Sequence, residues 1–316
     1  MNRIDPEPST LDEAARAGWL YYVGGLTQDQ IAQELGVSRQ RAQRLVARAR
    51  DEGLIHIRLE HQLAACLARE AALIRRYGLV RARVAPHLPP PADPSLATAA
   101  AAAALLESYL ADPRPLTIAF GTGRALSAMA ATLTAQRAER HRIVSLIGNI
   151  GQDGAATFFD VVPRIADRLQ ATYYPMLVPV VSASIEERAL FHALRPVQRA
   201  YDLAAQADVT FVGVGQMGPG APLVKDGFVT AATMEALTAA GAAGEIVGSI
   251  YDRNGVYIDD PRLGAVGGVR IEPGRASPVI GVAAGAAKVG AIRAALAGRI
   301  LNGLVTDEST AAALLA

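Results

Sequence analysis

Between Leu116 and Val305 short apolar runs of β type alternate with amphipathic stretches of helical period. The β-type runs are Leu116–Phe120, Ile143–Ile147, Ala171–Pro179, Val209–Val214, Val279–Ala283 and Gly303–Val305. Between them lie Arg124–Gln136, Thr157–Leu169, Ile185–Ala205, Thr230–Gly241 and Ala286–Ala297. A chain that repeats strand, helix, strand predicts a mainly parallel sheet with helices over both faces. Several strands run into glycine-rich turns: GTGR after Phe120, GNIG after Ile147 and GVGQMGPG after Val212. In open α/β sheets ligands gather at such carboxyl-terminal strand ends. These turns make Gly121, Thr122, Gly123, Arg124, Gly148, Asn149, Gly213, Gly215 and Gln216 candidates for binding a small molecule.

The 316 residues, 51% of them hydrophobic, are enough for a sizeable core and suggest two domains. The 31 basic and 30 acidic residues nearly cancel, so attraction to nucleic acid requires a local patch. A single cysteine, Cys66, forms no internal disulfide, which suits a reducing, cytoplasmic setting. The N-terminus is acidic and polar without a signal-peptide core, and no run reaches the ~18 apolar residues of a membrane span. The segment from His87 to Pro94 is a proline-rich break. Domains are therefore expected at residues 1–59 and 95–316. Residues 60–94 would hold a linker helix, with Leu63, Leu67, Ile74 and Tyr77 on one face, and the break.

Such a local patch lies in LTQDQIAQELGVSRQRAQRLV, residues 26–46. Thr27 and Gln30 have capping-box spacing, and Ile31 and Leu35 form the buried face of a first helix. Gly36 ends it, and Ser38 caps a second helix. Ala42, Leu45, Val46 and Ala49 fall on one side of that helix; Gln40, Gln43, Arg44 and Arg48 fall on the other, with Arg39 exposed at the start. Five arginines and no acid occur from Gly36 to Arg50. Forked Arg and Gln donors on a helix behind a tight turn suit readout of guanine and adenine in the major groove. The segment from Leu11 to Val23 supplies a packing helix, Trp19 and Tyr21–Tyr22 being core or phosphate-side residues, and Gly53–Leu59 reads as a short strand, a candidate wing.

These segments, taken with Gly121–Leu126, Ala207–Gly215, Gly244–Asp252 with Gly255, Val279–Lys288 and Leu304–Ala311, resemble the SorC family of bacterial sugar-binding transcriptional regulators over residues 15–316. The resemblance implies a helix-turn-helix domain joined to an α/β sensor domain related to ribose-phosphate isomerase and glucosamine-phosphate deaminase folds. It implies double-stranded operator DNA and a sugar, polyol or sugar phosphate effector as partners, and a homodimer or homotetramer as the assembly. The effector would contact the first glycine loop, Lys288, Thr306 and Asp307, with Asp252 a further acceptor for hydroxyls. Asp307 also reads as the N-cap of the last helix, with Thr310 at its N3 position, and Asp259–Asp260 as a solvated turn. Two departures from the family pattern, Ala125 for threonine and Ala284 in place of a first glycine, point toward an unphosphorylated ligand.

The competing expectation is a sugar-phosphate isomerase or deaminase with an appended DNA-binding domain, using Asp252, Glu245 or Asp307 as base. The five histidines (His56, His61, His87, His141 and His192) have no metal-ligand spacing, and none lies beyond Gly213 to serve as the partner of such a base. No G-x-S-x-G, P-loop or complete dinucleotide fingerprint is present. Neither a cofactor, a metal nor a catalytic residue is expected.

Overall fold

The structure is a computed structural model that describes residues 10–55, 63–90, 92–148, 150–151, 155, 161–218, 220–260 and 266–316. Asn149, His56, His61 and most of the expected wing lie outside the described residues. The chain divides into two units, Met1–His61 and Gln62–Ala316.

The smaller unit consists of α1 (Thr10–Tyr22), α2 (Gln28–Leu35) and α3 (Arg39–Asp51). The α2 start is set by a reciprocal cap: the Gln30 amide donates to Thr27 Oγ1 at 3.4 Å, and the Thr27 amide donates to Gln30 Oε1 at 2.8 Å. Gly36 ends α2 in the left-handed conformation, and Ser38 caps α3 by accepting from the Arg41 amide. Ala14, Ala17, Ile31, Ala32, Ala42, Leu45, Val46 and Ala49 form the small core. Trp19 is 61% exposed, so the sequence's core alternative for it does not hold; half-buried Tyr22 is the aromatic that packs on this cluster.

In the larger unit α4 (Ala64–Tyr77) is followed by β1 (Arg81–Ala85) and α5 (Pro94–Leu110). Next come β2 (Thr117–Phe120), α6 (Arg124–Thr132), β3 (Arg142–Ser145), α7 (Val162–Leu169) and β4 (Thr172–Tyr174). The chain continues through α8 (Ile185–His192), α9 (Arg195–Ala205), β5 (Val209–Gly213), β6 (Gly215–Gln216), α10 (Pro222–Lys225) and α11 (Ala231–Ala239). It ends with β7 (Ala242–Ile246), β8 (Ser249–Asp252), β9 (Val279–Val282), α12 (Val289–Ala297), β10 (Gly303–Asp307) and α13 (Glu308–Leu315). Seven strands form one sheet in the order β1-β10-β9-β5-β2-β3-β4, with every neighbouring pair parallel. Two large apolar clusters cover it. Phe120 and Phe211, on adjacent β2 and β5, stack with centroids 5.5 Å apart.

The expected parallel sheet and its covering helices are present, with three corrections at the boundaries. The expected linker at 60–94 belongs to the larger unit, because β1 pairs with β10 from Arg81↔Gly303 to Ala85↔Asp307 and Glu70 on α4 accepts the Val84 amide at 3.0 Å. The inner face of α4 is Cys66 and Leu73, seven residues apart, whereas Leu63, Leu67 and Ile74 are exposed. The stretch Ala171–Pro179 yields only the three-residue β4, since Pro175 and Pro179 lack the amide a ladder needs. Ile185–Ala205 divides into α8 and α9 at Pro196, in the first turn of α9.

Strand β2 neighbours β3 on one side and β5 on the other. The chain winds outward through β3 and β4, then returns to the opposite side of β2 with β5. The carboxyl ends of β2 and β5 therefore flank a topological switch point, the place where such sheets open a crevice. Beyond it, β6, β7 and β8 form a small antiparallel sheet that sequence alternation does not announce.

Candidate functional sites

On α3 the register separates packing from display. Ala42, Leu45, Val46 and Ala49 are buried, while Arg39, Gln40, Gln43, Arg44 and Arg48 are exposed, as is the capping Thr27 and Ser38 pair. Arg41, also exposed, is tied back to Glu13 of α1 at 2.9 Å. Arg39 lies 3.4 Å from Asp29, and Arg48 lies 3.5 Å from Glu52. Both pairs are surface pairs of low strength that a phosphate can replace. Arg44 and Gln40 stand on the same displayed face without an ion pair to α1 or α2 among the described residues. The α3 face thus presents the forked donors that base edges in a major groove accept.

The second site is a cleft of about 350 Å³ in the larger unit, at the switch point. Its floor is the β2 turn, Gly121 to Arg124, whose Gly121 amide donates to the Phe211 carbonyl of β5 at 2.9 Å. Gly123 adopts φ 114° as the N-cap of α6, a conformation open to glycine and strained for any L side chain. One wall is Gly148 with Val180; Gly148 lies so close to the Val178 carbonyl that a Cβ would clash with it. The opposite wall is Gly213, Gly215 and Gln216 with Glu245 and Val247. Lys288 also lines it, from a single 3-10 turn ahead of α12.

The hairpin between β7 and β8 shapes that wall. Ile246 pairs with Ser249, leaving a two-residue turn in which Val247 has φ 52° and Gly248 φ 74°. Both values are those of a type I′ turn, and a β-branched residue there stores strain. The turn aims the Gly248 amide at Glu245 Oε1. Burial raises the Glu245 carboxyl above the usual range, opposed by the Gly248 hydrogen bond and by Lys288. Burial lowers Lys288, opposed by Glu245 and Asp93. Arg124 is ion-paired with Asp226 at 2.7 Å.

Of the residues expected from sequence, Gly121, Thr122, Gly123, Arg124, Gly148, Gly213, Gly215, Gln216 and Lys288 line this one cleft. Asp252, Thr306 and Asp307 do not. Asp252 Oδ1 accepts the Asn254 and Val256 amides at 2.9 Å each, which closes the turn after β8 and lowers its pKa. Thr306 is fully buried within β10. Asp307 is 1% exposed and caps α13, accepting from the Thr310 amide at 2.8 Å, and it also meets His87 Nδ1 at 3.0 Å. Its N-cap reading is the one the structure carries. Burial alone would raise its pKa, but these hydrogen bonds hold it low. Sequence reasoning missed Asp93, Lys225, Asp226, Phe228 and Val266 in the lining, and met Glu245 only as a candidate base. Glu245 carries a sequence signal, an acid inside the apolar strand AAGEI; the others reach the cleft through tertiary folding alone.

Comparison with known proteins finds a match for each of the two units. Residues 61–316 match the family described as "Putative sugar-binding domain", and residues 16–62 match the MarR family. The erythritol catabolism regulatory protein EryD of Brucella abortus is 32% identical, with 96% of each chain covered. The transcriptional regulator LsrR of Klebsiella pneumoniae is 30% identical over 96% of this chain and 92% of its own. The full-length sorbitol operon regulator SorC from Klebsiella pneumoniae, 27% identical, superposes with a TM-score of 0.69 over 97% of this chain and 99% of that one. A chain that carries a helix-turn-helix ahead of a sugar-binding α/β unit, and that matches regulators end to end, is a member of the SorC family of sugar-binding transcriptional regulators.

Proposed function

We propose that this regulator controls a carbohydrate or polyol utilisation operon, and that occupancy of the switch-point cleft changes its affinity for operator DNA. The exposed face of α3, with Gln40, Gln43, Arg44 and Arg48, reads the operator major groove, while Arg39 and the α2 end meet phosphates. The cleft takes the effector, its glycine turns letting backbone amides approach the ligand and Lys288 donating to it. The observation that carries this reading is the gathering of nine sequence-expected residues from four separate turns into one concave site. The names of EryD and the SorC structure, erythritol catabolism and a sorbitol operon, place short polyols first among the ligands to try.

One helix-turn-helix makes few base contacts, so tight binding calls for two or four copies at fixed spacing. Leu67 and Ile74, exposed on α4, and Leu63 at its N-cap offer an apolar face for such a homodimer or homotetramer. Function as a cytoplasmic regulator rather than an enzyme follows from the same reading. A thermal-shift screen of sugars, polyols and their phosphates tests it: a ligand of the native form raises the melting temperature. The expected result is a rise with one chemical group of this panel; no rise with any member contradicts the reading.

A further inference from the structure

We propose that residues 220–226 are a hinged flap of the cleft wall, latched to the cleft floor by the Arg124–Asp226 pair, and that opening of this flap admits and releases the effector. The inference rests on the reading of the cleft as the effector site and adds how that site is entered.

The first observation is how loosely this segment is built into the fold. It lines the cleft with Gly220, Pro222, Leu223, Lys225 and Asp226. Its backbone hydrogen bonds close on themselves: the Ala221 amide donates to the Gly218 carbonyl at 2.9 Å, the Lys225 amide to the Ala221 carbonyl at 3.1 Å and the Asp226 amide to the Pro222 carbonyl at 2.8 Å. Among the described residues no backbone hydrogen bond ties 220–226 to either sheet. Of its side chains only Ala221 is buried, and Leu223 rests half-buried on the small cluster of Leu237, Ala242 and Ile250. A segment with local bonds and few buried contacts opens at a lower free energy than the sheet beside it.

The second observation is a glycine at each end. Gly218 has φ 101° and Gly227 φ 76°, and a Cβ on either would meet nothing within 4 Å. Glycine therefore serves the backbone there and not close packing. Beyond Gly227 the chain is anchored again, with Phe228 packed on the larger apolar cluster. The Phe228 and Val229 amides donate back across Gly227 to the Leu223 carbonyl, at 2.9 and 3.1 Å. A swing about the two glycines breaks these two bonds and spares those inside the flap.

The third observation is the latch. Arg124, the first residue of α6, donates to Asp226 through both terminal nitrogens, at 2.7 and 3.5 Å. Both residues line the cleft, so the pair joins its floor to the last residue of the flap. At the other end Gln216 Nε2 donates to the Gly220 carbonyl at 3.2 Å. The Arg124 side chain is 44% exposed and that of Asp226 16%. An ion pair so open to water is weak enough to break and re-form as ligand comes and goes.

Hydrogen exchange on the full chain tests the proposal without any ligand. Asp226→Asn and Arg124→Gln should each speed exchange of the Phe228 and Val229 amides by about two- to fivefold, the scale of a partly exposed ion pair, and leave the Leu304 and Val305 amides of β10 unchanged. The double variant should be no faster than either single one, because both remove the same pair. Access to the cleft is read from Ala125→Cys, which puts a thiol at a buried position in the lining. Adding Asp226→Asn should speed maleimide labelling of that thiol by a similar factor, with buried Cys66 of α4 as the reference for general unfolding. Exchange unchanged in both single variants, additive effects in the double, or labelling indifferent to Asp226→Asn overturns the flap. Acceleration shared equally by β10 or by Cys66 overturns it too, since the pair would then support the whole fold. Each of these results leaves the cleft reading standing, which the thermal-shift panel tests separately.

Discussion

The α3 face and the cleft hold their working side chains in opposite ways. On α3 the donors stand in water on a helix of 13 residues, and the apolar register behind them decides only which way they face. Any one of them can be truncated with little effect on the core of Ile31, Leu45 and Val46. In the cleft Glu245 and Lys288 are half-buried, Arg124 is ion-paired with Asp226, and the lining is set by turns that rest on the sheet. The Gly121 turn leans on β5 through Phe211, and Glu245 depends on Gly215, Gly248 and the strained Val247. The contrast is between a site that is a surface of one element and a site that is a property of the whole sheet.

Three substitutions sharpen or break that contrast. The largest expected effect is Phe211→Ala, which removes a fully buried ring stacked on Phe120 beneath the Gly121 turn. It should cost about 3–5 kcal/mol in denaturant unfolding and abolish the ligand-induced rise in melting temperature. A stable variant that still responds to ligand would show that the cleft does not depend on the sheet. Next is Arg44→Ala, expected to weaken operator binding by about 1–3 kcal/mol at fixed salt, measured by fluorescence anisotropy, with melting temperature unchanged. A drop in melting temperature to match would mean that Arg44 is structural.

The smallest effect concerns pH and a site in neither region. His141 is fully buried; its Nδ1 accepts the Leu116 amide at 3.1 Å and Nε2 meets the Leu110 carbonyl at 3.1 Å, so the ring is held neutral. Burial lowers its pKa. The unfolded chain therefore binds the proton more readily, and stability should be lost as pH falls below about 6.5, the value of a free histidine. In His141→Gln this part of the acid-side loss should be missing from urea midpoints measured across that range. An equally steep loss in the variant would place its origin in other groups.

The same contrast explains what the sequence could disclose. The α3 face was legible because every determinant is local: Thr27, Gln30, Gly36 and Ser38 set the boundaries, and the helical period sets the face. Strand–helix alternation also disclosed six of the sheet strands and the glycine turns at their ends. It missed β1, whose run Arg81–Ala85 alternates with arginines, and α5, an alanine-rich helix buried too evenly to show a period. It placed Leu63, Leu67, Ile74 and Tyr77 on one face of the linker helix but could not tell that Cys66, Glu70 and Leu73 form the face that packs, or that Tyr77 joins the core. Asp252 and Asp307 looked like ligand acceptors because a carboxylate that caps a turn and one that binds a hydroxyl are the same residue in sequence. Asp226 and Val266 could not be found at all, since only the tertiary fold brings them to the Gly121 turn.

The central claim is that the cleft and the α3 face are coupled. It is tested most directly by anisotropy titration of a labelled duplex from the chain's own promoter region, at fixed salt, with and without a saturating concentration of the polyol that most raises the melting temperature. The account predicts a several-fold shift in the binding midpoint, because a ligand that favours one state must move the equilibrium between states. Identical midpoints with the cleft demonstrably filled would contradict it.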